Sequence, residues 1–345
     1  MTGMTRRGAL LSGAFAATAL AAPNVLKAQT LEFTMPVWVP PRSAVPYYIL
    51  DPYFEIVSDV TGGRVRFRVG TGDSGPPPAQ YERTRTGVSD LSFALHGYSG
   101  PDAFLRSQIG QFSFLGDSYG TSVVFSDIYR NILDADAEHE GVELLGLFTH
   151  GPGLIMTRDR RIETIGDLEG LRMRNSGGYI AQLLEQLGAE SVAMPPGQIA
   201  AALDEGAIDG TALPYEALPA FGVTPHIGHL LEFPGGIYNA TWFFVMNRDK
   251  WNLISDRDQR AIKEVSAEAI GPLAGKSFDH VDYLGKQDAE AAGIEIRRAS
   301  DELIADIEMR GRAYERQWIE RVAAQGFDAE YALTTLRRQT GQSQL

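Results

Sequence analysis

The sequence predicts an α/β protein made of two similar lobes with a ligand cleft between them. Strand-like and helix-like segments alternate along most of the chain. One supersecondary unit occurs twice: Thr86-Gly-Val-Ser-Asp90-Leu and Glu205-Gly-Ala-Ile-Asp209-Gly share the order helix, glycine, two residues, aspartate, strand. Near the C-terminus, helical patterns over about 248–270, 272–292 and 301–324 follow one another without a low-complexity linker. They read as elements that brace both lobes rather than a third domain.

The element order follows from pattern and punctuation. Leu31–Trp38 alternates apolar and polar residues and breaks at Pro40-Pro41, as a strand would. Val45–Val60 is helical in pattern with Pro52 inside it, which predicts a kink or two short helices. Arg64–Val69 and Val88–Leu95 are strands flanking a short helix over Ala79–Thr86. Gln111–Leu115 is short and apolar, Thr121–Ala137 is helical, and Val142–Thr149 is a strand. Residues 167–213 form a compact β-α-β-α-β unit. Leu171–Arg174 is its first strand, and Tyr179–Leu187 is a helix with Ile180, Leu183, Leu184 and Leu187 on one face. Gly188 stops that helix, because glycine accepts the left-handed conformation at a helix end. Ser191–Ala193, a helix over Gln198–Glu205 and Ala207–Leu213 complete the unit. Leu230–Phe233, Thr241–Met246 and Ile294–Arg297 are further strands.

Composition excludes several classes of function. The chain has 345 residues, enough for about two domains, with 44 acidic against 31 basic residues. The first 28 residues carry Arg6, Arg7 and Lys27 and no acid, so without them the net charge moves from −13 to −16. Such a surface repels nucleic acid and anionic lipid. With no cysteine, disulfides and thiolate metal sites are absent. Thr5-Arg6-Arg7 ahead of the apolar run Ala9–Ala22, with Pro23 and small residues up to Ala28, reads as an export signal. The arginine pair points to twin-arginine export, with an ordinary secretory signal as the alternative. No other stretch is long and apolar enough to span a bilayer, so direct membrane insertion is not expected.

Catalytic and cofactor signals are poor. Gly70-Thr-Gly72-Asp-Ser-Gly75 matches a dinucleotide fingerprint after a strand, but Pro76-Pro77-Pro78 cannot supply the helix-terminal amides that hold a pyrophosphate; a flexible loop at the cleft rim is the better reading. His226 and His229 have helical metal-ligand spacing without a third ligand, and Pro225 and Gly228 place them in a loop. There is no G-x-S-x-G elbow and no H-E-x-x-H. Neither an enzyme nor a cofactor is expected. His96 and His150 each end a predicted strand, where ligand contacts collect, and read either as such contacts or as satisfied structural histidines. Arg174 ends its strand at the edge where open α/β sheets place ligands. Its planar fork can hold a carboxylate through two parallel hydrogen bonds; Arg172 is expected on the surface, on the opposite face.

The 167–210 stretch resembles the DctP-like solute-binding proteins of tripartite ATP-independent periplasmic (TRAP) transporters. The residues that carry the likeness are Asp167-Leu-Glu-Gly-Leu-Arg-Met-Arg174, Leu187-Gly-Ala189 and Ala202-Leu-Asp-Glu-Gly-Ala-Ile-Asp-Gly210. The resemblance implies mixed sheets flanked by helices, a long helix spanning both lobes, closure on a ligand, and delivery to small and large membrane subunits. It implies that Arg174 is the family's carboxylate-binding arginine. On this reading residues 1–28 are the export signal, 29–151 plus 240–279 one lobe, 152–239 plus 280–330 the other, and 331–345 a tail. Sialic-acid-type members have a second arginine where this chain has Leu154 and an asparagine where it has Leu213. A family phenylalanine is Pro196 here, and a family glutamate is Gln198. Thr149–Thr157 looks like a subgroup associated with keto, hydroxy and aromatic monocarboxylates. The expected function is periplasmic capture of such an acid: Arg174 grips the carboxylate, and His96, His150 and Tyr215 orient polar substituents. Trp38, Tyr98, Leu154, Leu213, Trp242 and Phe243 enclose the tail. A binding protein of an ATP-driven importer and a ligand-sensing protein are the alternatives.

Overall fold

The computed structural model describes residues 30–100 and 102–340; the predicted export signal lies outside them. The first lobe opens with β1 (Leu31–Pro36), a helical turn over Val45–Leu50, α1 (Asp51–Val60), β2 (Val65–Gly70), α2 (Gln80–Arg85) and β3 (Leu91–Leu95). It continues through α3 (Ser118–Asn131), α4 (Ala135–Glu138) and β4 (Val142–Thr149). The second lobe takes β5 (Leu154–Thr157), β6 (Arg172–Asn175), α5 (Tyr179–Gln186), β7 (Glu190–Ala193), α6 (Ile199–Asp204), β8 (Gly210–Leu213), α7 (Ala217–Ala220) and β9 (His229–Glu232). The chain then returns to the first lobe with β10 (Thr241–Asn247). After α8 (Arg248–Trp251) come α9 (Asp256–Ala291), β11 (Glu295–Arg298), α10 (Asp301–Ala323) and α11 (Ala329–Gln339).

The sheets divide along the same line. In the first lobe β1 pairs with β2, and β10 lies antiparallel between β3 and β4. The second lobe holds a six-stranded mixed sheet in the order β11-β9-β5-β8-β6-β7, in which β5 runs against both neighbours. The repeated glycine–aspartate unit has one structural job in both lobes. Gly87 and Gly206 take φ of 79° and 66° after α2 and α6. The aspartate that follows each one then accepts a backbone N–H from a neighbouring strand: Thr34 N to Asp90 at 2.9 Å, and Arg172 N to Asp209 at 2.9 Å.

The chain crosses between lobes at 150–153 and at 238–240, and the two crossings are bonded to each other. Gly153 N donates to Tyr238 O at 2.8 Å, and the Asn239 amide donates to His150 O at 2.9 Å. The third crossing is α9, 36 residues long, which at 1.5 Å per residue is about 54 Å. Three features of this region depart from the sequence reading. Separate helices were expected over about 248–270 and 272–292, but one helix runs through the join and through Pro272. The carbonyl that proline leaves unpaired belongs to Glu268, an exposed residue on the outer side of the helix. Residues 331–345 were expected to be a tail, yet Ala329–Gln339 is helical and buries Ala332, Leu333 and Leu336. Strand β5 was not anticipated; it is four residues long and buried on both faces, so it shows no alternation.

Along its first half α9 packs on the first lobe. A Cβ at Gly275 would lie 2.5 Å from Tyr119 Cα. Further on it packs on the second, where a Cβ at Gly285 would lie 2.4 Å from Tyr215 O. Helix α10 fixes Trp318 Nε1 to Leu105 O at 2.8 Å and Tyr314 to Gln108 at 2.9 Å. Gly275→Ala tests the closeness of the α3–α9 contact. Alanine raises helix propensity by about 1 kcal/mol, but here it meets rigid backbone, and overpacking costs about 1–3 kcal/mol. A net loss of stability is expected, read as a lower urea midpoint with an unchanged slope.

Candidate functional site

The site is built on the C-terminal end of β6. Asp167 starts the unit by accepting from Glu163 N, Thr164 N and the Thr164 hydroxyl at 2.8–3.0 Å. At the near end of the strand Arg172 grips Asp209 with two bonds, 3.0 Å from Nε and 2.6 Å from an Nη. Arg172 and Arg174, two residues apart, share a face of the strand, so the expectation that Arg172 lies on the opposite face is corrected. What separates them is the end of the strand each occupies. Arg174 is 1% exposed. Its Nε donates to Met194 O at 2.9 Å. Among the described residues no carboxylate pairs with its guanidinium. The Tyr98 hydroxyl lies beside it; burial raises that phenol's pKa, and the positive charge offsets part of the rise.

Arg174 opens into a cavity between the lobes, lined by residues of both. Trp38 and Trp242 stack at 5.9 Å and 12°, with Phe148 on the far side of Trp242 at 5.7 Å. Tyr98 meets Trp38 edge-on at 6.1 Å, and Trp38 Nε1 is fixed by Phe93 O at 2.8 Å. Leu213, Pro196, Phe221 and Tyr238 close the second-lobe side, and Ser176 and Glu216 add polar groups. At the lip the lobes touch backbone to backbone: a Cβ on Gly177, after β6, would lie 2.3 Å from Gly97 O, after β3.

The cavity brings together Arg174, Trp38, Tyr98, Leu213, Trp242 and His150 of the residues expected there. His150 lines the wall with its polar atoms already engaged. Nδ1 donates to Gly151 O at 2.6 Å and Nε2 accepts from Ala240 N at 3.1 Å. Burial lowers its pKa to about 4, so it is a neutral staple between the two crossings rather than a group that orients substituents.

Four expected residues are elsewhere. Successive strand residues face opposite ways, so with Leu95 and Trp242 at the cavity, His96 and Phe243 point into the first-lobe core. There His96 meets His139 at 3.1 Å between Nε2 atoms and packs on Phe243 and Phe104. Leu154 and Tyr215 line a separate groove on the second lobe, where the Tyr215 hydroxyl donates to Glu232 at 2.8 Å. Pro214 ends β8 and turns the chain, so Tyr215 does not continue the face of Leu213. The glycine-rich loop at 70–75 is held by Gln80 and Arg83 and lines none of the cavity. His226 lies by Asp204 and His229 by Glu295, so they share no site, and the described residues contain no group of three or more metal-ligating side chains. Glu216 was missed. Its place just past the end of β8 was a legible signal; its burial was not.

Residues 79–320 match the model of the bacterial extracellular solute-binding protein family 7, DctP. The chain belongs to this family. It is 32% identical to a TRAP periplasmic solute-binding protein from Bordetella bronchiseptica solved with bound (R)- and (S)-mandelate, covering 90% of this chain and 99% of that one with a TM-score of 0.87. A TRAP solute-binding protein from Rhodoferax ferrireducens in complex with copurified benzoate is 29% identical, covering 91% and 98%, with a TM-score of 0.81. The Comamonas testosteroni protein described as outer membrane transporter protein TsaT is 24% identical over 94% of this chain and 96% of its own length. This DctP-family chain is therefore a two-lobed TRAP-type solute-binding protein, and the family is one of binding proteins rather than enzymes. Among the described residues no helix is long and apolar enough to cross a membrane.

Burial pushes the Glu216 carboxyl up to about 7, from an ordinary 4.5. The folded DctP-family protein keeps this proton until about pH 7, whereas the unfolded chain releases it near 4.5. Stability from this group is therefore full below 4.5 and is lost as pH rises through about 7, by about 3 kcal/mol in all. Glu216→Gln removes the penalty. Its melting temperature is expected to exceed that of the wild type at pH 8 and to converge with it at pH 5.

Proposed function

We propose that this protein captures a small organic monocarboxylate with an aromatic or otherwise apolar tail in the periplasm, and hands it to the small and large membrane subunits of a TRAP transporter. One observation carries the reading: Arg174 is a buried cation with no carboxylate partner among the described residues, at the end of an aromatic cavity. A buried charge is costly unless paired, and a ligand carboxylate supplies the pair. The stacked Trp38 and Trp242 offer a flat apolar wall, and the mandelate and benzoate relatives support an aromatic acid. The ligand contacts both lobes only when they are shut, so binding shifts the population toward closure. The Arg6-Arg7 pair supports export by the twin-arginine route.

A thermal-shift screen of the mature protein tests this reading. Ligand that binds only the native state raises the melting temperature, so benzoate and mandelate should raise it while benzyl alcohol and neutral sugars should not. A rise with sugars alone would sink the proposal. By calorimetry, Arg174→Ala should weaken benzoate binding by about 100-fold or more, as loss of a buried charge partner does, with the fold retained by circular dichroism. Arg172→Ala, whose partner is Asp209, should leave affinity near the wild-type value. Gly177→Val should weaken binding by holding the lip open, seen as a larger radius in small-angle scattering with ligand present.

A further inference from the structure

Four carboxylates are buried among the described residues: Glu143, Glu216, Asp258 and Glu315. Three of them have a cation. Glu143 takes Arg248 and Lys263, Asp258 takes Arg64, and Glu315 takes Arg337. Glu216 has none. It is 8% exposed, it lines the same cavity as Arg174, and no described donor reaches its carboxyl. Its backbone is held firmly, with Glu216 N donating to Asp282 Oδ1 on α9 at 2.7 Å. Asp282 in turn fills the space beside Gly151 at the first crossing, where a Cβ would lie 1.7 Å from its carboxylate. The side chain is therefore carried by a rigid junction of β8, α9 and the interlobe crossing. Its carboxyl oxygens are not among the sealed, unpartnered side-chain atoms of the described residues, so they open onto the cavity, within reach of a bound molecule; a polar group so placed without a protein partner calls for an explanation.

We infer that Glu216 hydrogen-bonds a hydroxyl group on the bound acid, so that the solute is a hydroxylated carboxylate held at two polar points, Arg174 and Glu216. This rests on the carboxylate reading above and narrows it. The alternatives for a second polar group fit less well. A second carboxylate would bring a second negative charge into a cavity whose lining contains one charged cation, Arg174. An ammonium would need Glu216 ionised, but burial favours its neutral form. A neutral carboxyl both donates and accepts, as a hydroxyl does. A site with a polar group of this kind discriminates strongly against an analogue that leaves it unpaired.

The test is calorimetric. Wild type and Glu216→Leu are titrated with benzoate, the three hydroxybenzoates, phenylacetate, mandelate and phenylglycine, and the readout is the ratio of dissociation constants between each parent acid and its hydroxylated form. In the wild type at least one hydroxylated acid should bind about tenfold or more tighter than its parent. In Glu216→Leu that ratio should collapse to within about twofold. The inference is overturned if the wild type shows no hydroxyl preference, if the leucine variant keeps it, or if phenylglycine binds more tightly than mandelate. The wild-type comparison stands even where the variant does not fold. Binding of benzoate without any hydroxyl preference defeats this inference alone; failure of every aromatic acid to bind defeats the carboxylate reading beneath it.

Discussion

A guanidinium held inside the protein, with no carboxylate partner among the described residues, is the constraint around which this molecule is arranged. Arg174 is 1% exposed, its Nε donates to the Met194 carbonyl, and the Tyr98 hydroxyl lies in hydrogen-bonding contact with its guanidinium. Strand β6 delivers it to the sheet edge that faces the other lobe. The Arg172–Asp209 pair ties down the opposite end of the same strand. In a chain with a strong net negative charge, a small anion is drawn to such a point only by local forces. A low-dielectric pocket makes those forces large.

The walls of that pocket come from both lobes, so the joints between the lobes matter as much as the lining. His150 bonds the first crossing to the second through Ala240, and Asn239 reaches back to the His150 carbonyl. Asp282 presses helix α9 against Gly151 while accepting the Glu216 N–H. All three crossings therefore meet beside the cavity. At the lip, the bare backbones of Gly97 and Gly177 let the lobes come together without a side chain between them.

Much of the site was legible from strand ends, and strand parity explains the misplaced residues. Trp242 and Phe243 are neighbours on β10, and Leu95 and His96 are neighbours across the end of β3, so in each pair only one residue faces the cavity. His96 lies in a core of Phe104, Tyr129 and Phe243 against His139, 43 residues away in sequence. Tyr215 and Leu154 were lost for another reason. Pro214 redirects the chain after β8, and β5 gives no alternation from which to assign its faces.

The sequence by itself determined the class of fold, the order of most elements and the place of Arg174 near the end of its strand. Those depend on local periodicity, on glycines and prolines at turns, and on motif residues close in the chain. The Asp167, Gly170, Gly188 and Gly206 positions are of this kind, each set by a cap or a left-handed turn within its own unit. Only the tertiary structure decided which side chains share the cavity, that Pro272 sits inside one continuous helix, and that Glu216 is buried without a partner. Those facts depend on contacts between segments far apart in the chain, such as Trp38 with Trp242 or Glu216 with Asp282. No local pattern encodes that kind of encounter: a carboxyl is unpaired only in relation to everything that folds around it.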